Sequence, residues 1–122
     1  MTPGMSTARR VNFAGVLGLG GLLLGWHVLG LWPGGSAWTG WIFGVPVAVV
    51  AGMHAARRVS APFWAGVVAL FAFCHGVMEA WASEGAMVPS MAEAALAVTI
   101  VLSASWDGLR ARSRRRRTPP AV

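Results

Sequence analysis

The chain has 122 residues, 56% of them hydrophobic and only 11% charged. A soluble domain carries about 25% charged residues, so this chain has too little polar surface to cover itself in water and belongs in a membrane. Its net charge of +6 comes from arginine alone, since the sequence contains no lysine. The length allows a single domain. Cys74 is the lone cysteine, which excludes an intramolecular disulfide and a cysteine-based zinc site within one chain. In mid-helix it reads as a small packing residue. Phosphate-binding loop, dinucleotide fingerprint, nucleophile elbow and metalloprotease motif are all missing from the sequence.

Met1–Ala8 are small and polar, and are followed by Arg9-Arg10 and the apolar run Val11–Leu31. The pair of arginines resembles a twin-arginine signal. The run is nevertheless as long as a full span, about 20 residues, and three more follow, so the arginines read as an ordinary flank. The first helix is expected over 11–31. It is crowded with glycine, including a GxxxG pattern at Gly21 and Gly25. In water each such glycine weakens a helix by about 1 kcal/mol; in lipid it lets a second helix approach closely. Trp32–Ser36 holds Pro-Gly-Gly and reads as a turn.

The second helix is expected over 38–56, with GxxxG at Gly40 and Gly44 and a kink at Pro46. Only Arg57–Ser60 separate it from the third helix, expected over 62–82, so these two are antiparallel neighbours. After the turn Ser83-Glu84-Gly85, the fourth helix is expected over 90–106. Ser90 as N-cap and Glu93 three residues on fit a capping box. Ala95, Thr99 and Ser103 form a small-residue stripe suited to close packing. The transmembrane domain is thus residues 1–109. The tail 110–122, with Arg114–Arg117 and Pro119-Pro120, is expected to be disordered. The fold class is an all-α four-helix transmembrane bundle with short loops.

All ten arginines fall at the N-terminus, in the link between the second and third helices, and in the C-terminal tail. Four spans put these three places on one side, which the positive-inside rule makes cytoplasmic, with both termini inside. The expected location is therefore the cell (inner) membrane. Trp26, Trp32, Trp38, Trp41 and Trp81 fall towards the other face and Trp64 and Trp106 towards the arginine face. That is the distribution of interfacial aromatic belts.

The third span carries His75 and Glu79 four residues apart, on one face of a helix. Counting about 1.5 Å of rise per residue puts His27 of the first helix and Glu93 of the fourth in the same outer-leaflet layer. His54 is separate, at the inner end of the second helix. Ionisable groups inside a membrane face a partner or a cavity. His27, His75, Glu79 and Glu93 are therefore the candidate polar cluster. Such a set could relay protons, hold a divalent metal or bind a cationic solute, and two histidines could ligate a haem iron. The plainer reading is a His–Glu hydrogen bond that fixes helix packing, or glutamates that reach the headgroups. That reading is favoured, so catalytic, cofactor and metal residues are all expected to be none. Asp107 and Arg110 are expected to form an interfacial ion pair.

Arg114, Arg115, Arg116 and Arg117 are candidate contacts for anionic lipid headgroups, each contributing about 1 kcal/mol near the surface. Nucleic acid is expected to bind them only nonspecifically, since no stacking aromatics are interleaved.

Trp41-Ile42-Phe43-Gly44-Val45-Pro46 opens the second span, Arg57-Arg58 the following turn and Phe63-Trp64 the third span. This layout resembles that of the small four-span membrane proteins of actinomycete conjugative plasmids, the plasmid-spread proteins. The resemblance covers roughly residues 10–106. It implies a role in spreading plasmid DNA between hyphal compartments and carries over no site residues.

The expected function is a non-enzymatic accessory or scaffold subunit. It would work through helix–helix contacts, with a second copy or another membrane protein as partner. The alternative is a small oligomeric transporter or channel for protons, metal or small cations, lined by the His/Glu layer.

Overall fold

The computed structural model describes residues 6–117. Four helices carry the fold: α1 (Thr7–Leu23), α2 (Ala37–Ala55), α3 (Ala61–Ala82) and α4 (Met87–Arg117). The C-terminal end of α1 widens into a π-helical turn over Leu24–Val28. Each of the four is long and apolar enough to cross a membrane, and the described residues contain no strand.

Helices adjacent in sequence pack against each other, and α1 closes the ring against α4; contact across the diagonal between α1 and α3 is slight. The most extensive interface is α3 with α4. Its cause is a stripe on α3 that recurs at helical spacing: Ala61, Ala65, Ala69, Ala72 and Gly76, all buried. Small side chains let the two backbones approach. At Gly76 an added Cβ would lie 2.9 Å from the Ser90 carbonyl oxygen and 3.2 Å from the Ala94 nitrogen. Of the stripe expected at Ala95, Thr99 and Ser103, only Ser103 meets a neighbouring helix, accepting from Asn12 of α1. Ala95 and Thr99 are exposed, and the Thr99 hydroxyl donates back to the Ala95 carbonyl at 2.9 Å.

The core is one cluster at mid-height: Val16, Leu19 and Leu23 of α1, Val47 and Val50 of α2, the α3 alanines, and Ala97 and Ile100 of α4. Phe43, Val68, Leu96 and Val101 pack partly against it, and many other large apolar side chains, such as Leu17, Ile42, Phe71 and Leu102, point outward. In water that would be untenable; in a bilayer the outer face is the lipid-facing face.

Helix boundaries differ from expectation mainly in α1 and α4. Ser6 caps α1, its hydroxyl accepting from the Arg9 N–H at 3.1 Å, so the helix begins four residues before the apolar run. The π turn then stops it short of Leu31. The helix α4 starts at Met87 with Pro89 in its first turn, where a missing N–H is no loss. The Ser90 N–H bonds the Ala86 carbonyl at 3.0 Å, so Ser90 is inside the helix and the expected capping box does not form. At the other end α4 runs on through Arg117, so residues 110–117 are helical and not a disordered tail. Arginine is a good helix former, and cations favour a helix C-terminus. Pro119 and Pro120 lie outside the described residues.

The loops gather at two ends. The Arg9 guanidinium donates to the Arg58 carbonyl and joins the N-terminus to the α2–α3 link. That link starts with a Schellman turn in which Arg57, at φ 55°, takes the left-handed position usually held by glycine. At the far end the other two loops touch. Gly34, at φ +84°, faces Ser83 and Ala86, and Gly85, at φ +82°, faces Pro33. The arginine-bearing segments thus share one end. Trp38, Trp41 and Trp81 are exposed at the far end and Trp64 and Trp106 at the arginine end. Trp26 departs from the belt pattern: it is fully buried, and its indole N–H donates to the Pro33 carbonyl at 3.0 Å.

Candidate functional site

The π turn leaves three consecutive residues, Gly25, Trp26 and His27, buried at the far end of α1. The chain then folds back over them. Gly35 lies so close to the Trp26 carbonyl that a side chain there would collide with it. The next amide, Ser36 N–H, donates to His27 Nδ1 at 3.1 Å. An accepting Nδ1 leaves the proton of a neutral imidazole on Nε2. That Nε2 is buried and has no hydrogen-bond partner among the described residues.

Across the bundle, α3 presents His75 and α4 presents Glu93. Both Glu93 carboxylate oxygens lie 3.0 Å from His75 Nδ1. Glu93 is 0% exposed and His75 7%, so this is a buried pair that bolts α3 to α4 at the height of Gly76. Glu79 stands on the other side of the imidazole, its carboxylate 4.0 Å from His75 Nε2. That is too far for a direct hydrogen bond, and Glu79 instead accepts from the Ser83 hydroxyl at the helix end. His75 is thus flanked by two carboxylates, with Glu93 and not Glu79 as its hydrogen-bond partner. Phe43 and Trp26 pack on its ring at 4.7 and 5.8 Å between centroids.

The histidines meet edge to face, with ring centroids 5.6 Å apart. Such contact leaves no slot for a porphyrin between them. Each uses one nitrogen on a protein partner, and the described residues hold no group of three His, Cys, Asp or Glu side chains placed to bind a metal ion. All four sequence-derived candidates, His27, His75, Glu79 and Glu93, therefore come together at the far end. Ser90, the residue expected as a cap, is buried beside them on α4, and its hydroxyl has no partner among the described residues.

A second polar cluster, at the arginine end, went unread in the sequence. Asn12 of α1 is fully buried. Its amide N–H donates to the Ile100 carbonyl at 3.0 Å and the Ser103 hydroxyl at 3.1 Å, and its oxygen lies 2.7 Å from His54 Nε2. The ring of Phe13 stacks on His54 at 4.9 Å. One asparagine thus ties α1 to α2 and α4. The signal was available: Asn12 is the only carboxamide in the chain, and it stands inside a span.

The two clusters are separated along α1 by roughly 22 Å, at about 1.5 Å per residue. Between them the core side chains Val16, Leu19, Val47, Val50, Ala65 and Ile100 leave no space for a water molecule. Arg114–Arg117 form the last turn of α4, exposed beyond the span. The described part of Asp107 does not include its side chain, so its expected pairing with Arg110 lies outside the described residues.

No curated protein and no solved structure matches the chain. A family model described as a predicted membrane protein, DUF2069, matches residues 11–112. Nothing in that match links it to the plasmid-spread proteins. The matched stretch takes in nearly all of the four helices and both polar clusters, and the chain belongs to this family of predicted membrane proteins.

Proposed function

We propose that the protein is a non-enzymatic accessory or scaffold subunit of the cell membrane, with both termini cytoplasmic, acting through helix contacts on its outer face. The observation that carries this reading is an open groove of about 370 Å³ between α1 and α2, floored by Gly20, Gly21, Gly40 and Gly44. Gly21 and Gly44, one from each GxxxG pattern, have nothing within 4 Å of the place a Cβ would occupy. They do not serve packing within the bundle. Glycines on a lipid-facing surface suit the close approach of another transmembrane helix.

The polar residues support the same reading. At the far end His75 pairs with Glu93, His27 accepts from the Ser36 N–H and Glu79 from the Ser83 hydroxyl, and apolar core side chains lie between these residues and Asn12 and His54. That apolar constriction speaks against a polar route through a single bundle. The transporter alternative requires a path between protomers, with the far-end His/Glu layer as its lining. Purified protein in liposomes is expected to carry no proton or metal flux while co-purifying with a partner or a second copy. Flux that Glu93→Gln abolishes would overturn the scaffold reading. Plasmid spread is one setting for such a subunit, supported by the layout of the second and third spans, and loss of plasmid transfer on deletion would test it.

A further inference from the structure

On the arginine end a second cleft, of about 470 Å³, opens between the first turn of α1 and the last membrane turns of α4. Its walls are apolar, with Val11, Leu102 and Trp106, all of them exposed. Its rim is polar, with the Thr7 hydroxyl on α1 and Arg110 on α4. The side chains of Ser103, Trp106, Arg110, Arg114 and Arg117 succeed each other at three- and four-residue spacing. They therefore share one face of α4. The apolar wall thus continues, along the same helix face, into a row of arginines.

At about 1.5 Å per residue α4 is roughly 46 Å long, whereas the hydrocarbon core is about 30 Å thick. The arginine row accordingly stands at headgroup depth and beyond. The N-terminus of α1 directs its positive dipole end at the same rim. Glu79, Glu84 and Glu93 all lie at the far end, and Asp107 is the only acidic residue near this one.

We infer that this cleft is a site for one anionic phospholipid. An acyl chain lies along Val11, Leu102 and Trp106, and the phosphate is held by Arg110 with the α1 N-terminus. An anion at a helix N-terminus gains from the exposed amides and the dipole together, and arginine presents a planar fork that matches a phosphate bidentately. The site does not depend on the partner role proposed above.

Native mass spectrometry of the full chain, titrated with phosphatidylglycerol or phosphatidylcholine, tests this. The expected result is one retained phosphatidylglycerol at an affinity about tenfold above phosphatidylcholine. Arg110→Gln should remove that preference, while Arg112→Gln, off the row, should keep it. Dibrominated phosphatidylglycerol should quench tryptophan emission less in Trp106→Phe than in the unaltered chain. Equal binding of the two lipids would overturn the proposal. So would equal effects of Arg110→Gln and Arg112→Gln, which mean diffuse attraction to the basic helix. Complete displacement of the lipid by millimolar inorganic phosphate would also overturn it, as it would make the site one for free phosphate.

Discussion

Replacing His75 and Glu93, singly and together, is the sharpest test of how the far end is held. Glu93 is fully buried, and both its oxygens lie 3.0 Å from His75 Nδ1. Removing one partner of a buried ionic pair strands the other and costs about 3–5 kcal/mol. His75→Leu and Glu93→Leu are each expected in that range. The double replacement leaves no stranded group, so it should cost less than the sum by at least about 2 kcal/mol. Glu79 supplies the internal control. It is 22% exposed and 4.0 Å from His75 Nε2, a geometry in which an ion pair contributes at most about 1 kcal/mol. Glu79→Leu alone, and its coupling to His75, should therefore be small. Reversible unfolding in mixed detergent, followed by tryptophan emission, gives the cycle. Additive effects for His75 and Glu93, or stronger coupling of His75 to Glu79, would refute the assignment of Glu93 as the partner.

Gly76→Ala should destabilise the bundle by about 1–3 kcal/mol, because its Cβ would press on the α4 backbone at Ser90 and Ala94. Gly21→Ala, with open space around it, should be neutral or slightly stabilising in the same unfolding assay. Asn12→Leu should cost about 1–3 kcal/mol, since it deprives His54 Nε2, Ser103 and the Ile100 carbonyl of a partner; adding His54→Leu should recover part of that loss. Reporter fusions should show a cytoplasmic signal at Arg112 and an external one at Gly35; the reverse would invert the proposed orientation.

The four spans were legible because apolar length is a strong signal, and a membrane leaves few alternatives to helices. The depth count also placed His27, His75, Glu79 and Glu93 in one layer. Which of them pair was not legible. Spacing along one helix pointed to Glu79, whereas Glu93 reaches His75 only because α3 and α4 approach at Gly76, a fact of packing between helices. The same blindness affected Ser90 and Glu93, whose local spacing mimics a capping box while both are buried inside the fold. Trp26 was misread because belt statistics ignore a π turn that turns a ring inward. The helical arginines up to Arg117 show that like charge alone does not end a helix that lacks a breaker.

Crosslinking at the α1/α2 groove tests the scaffold role most directly. In a Cys74→Ser background, Gly44→Cys places a thiol on the groove floor, and Val49→Cys places one on an exposed position outside the groove lining. A short bis-maleimide applied to native membranes should yield a discrete adduct, with a second copy or another polypeptide, from Gly44→Cys and not from Val49→Cys. Equal or absent adducts from both positions would mean that lipid alone fills the groove, and would contradict the proposed role.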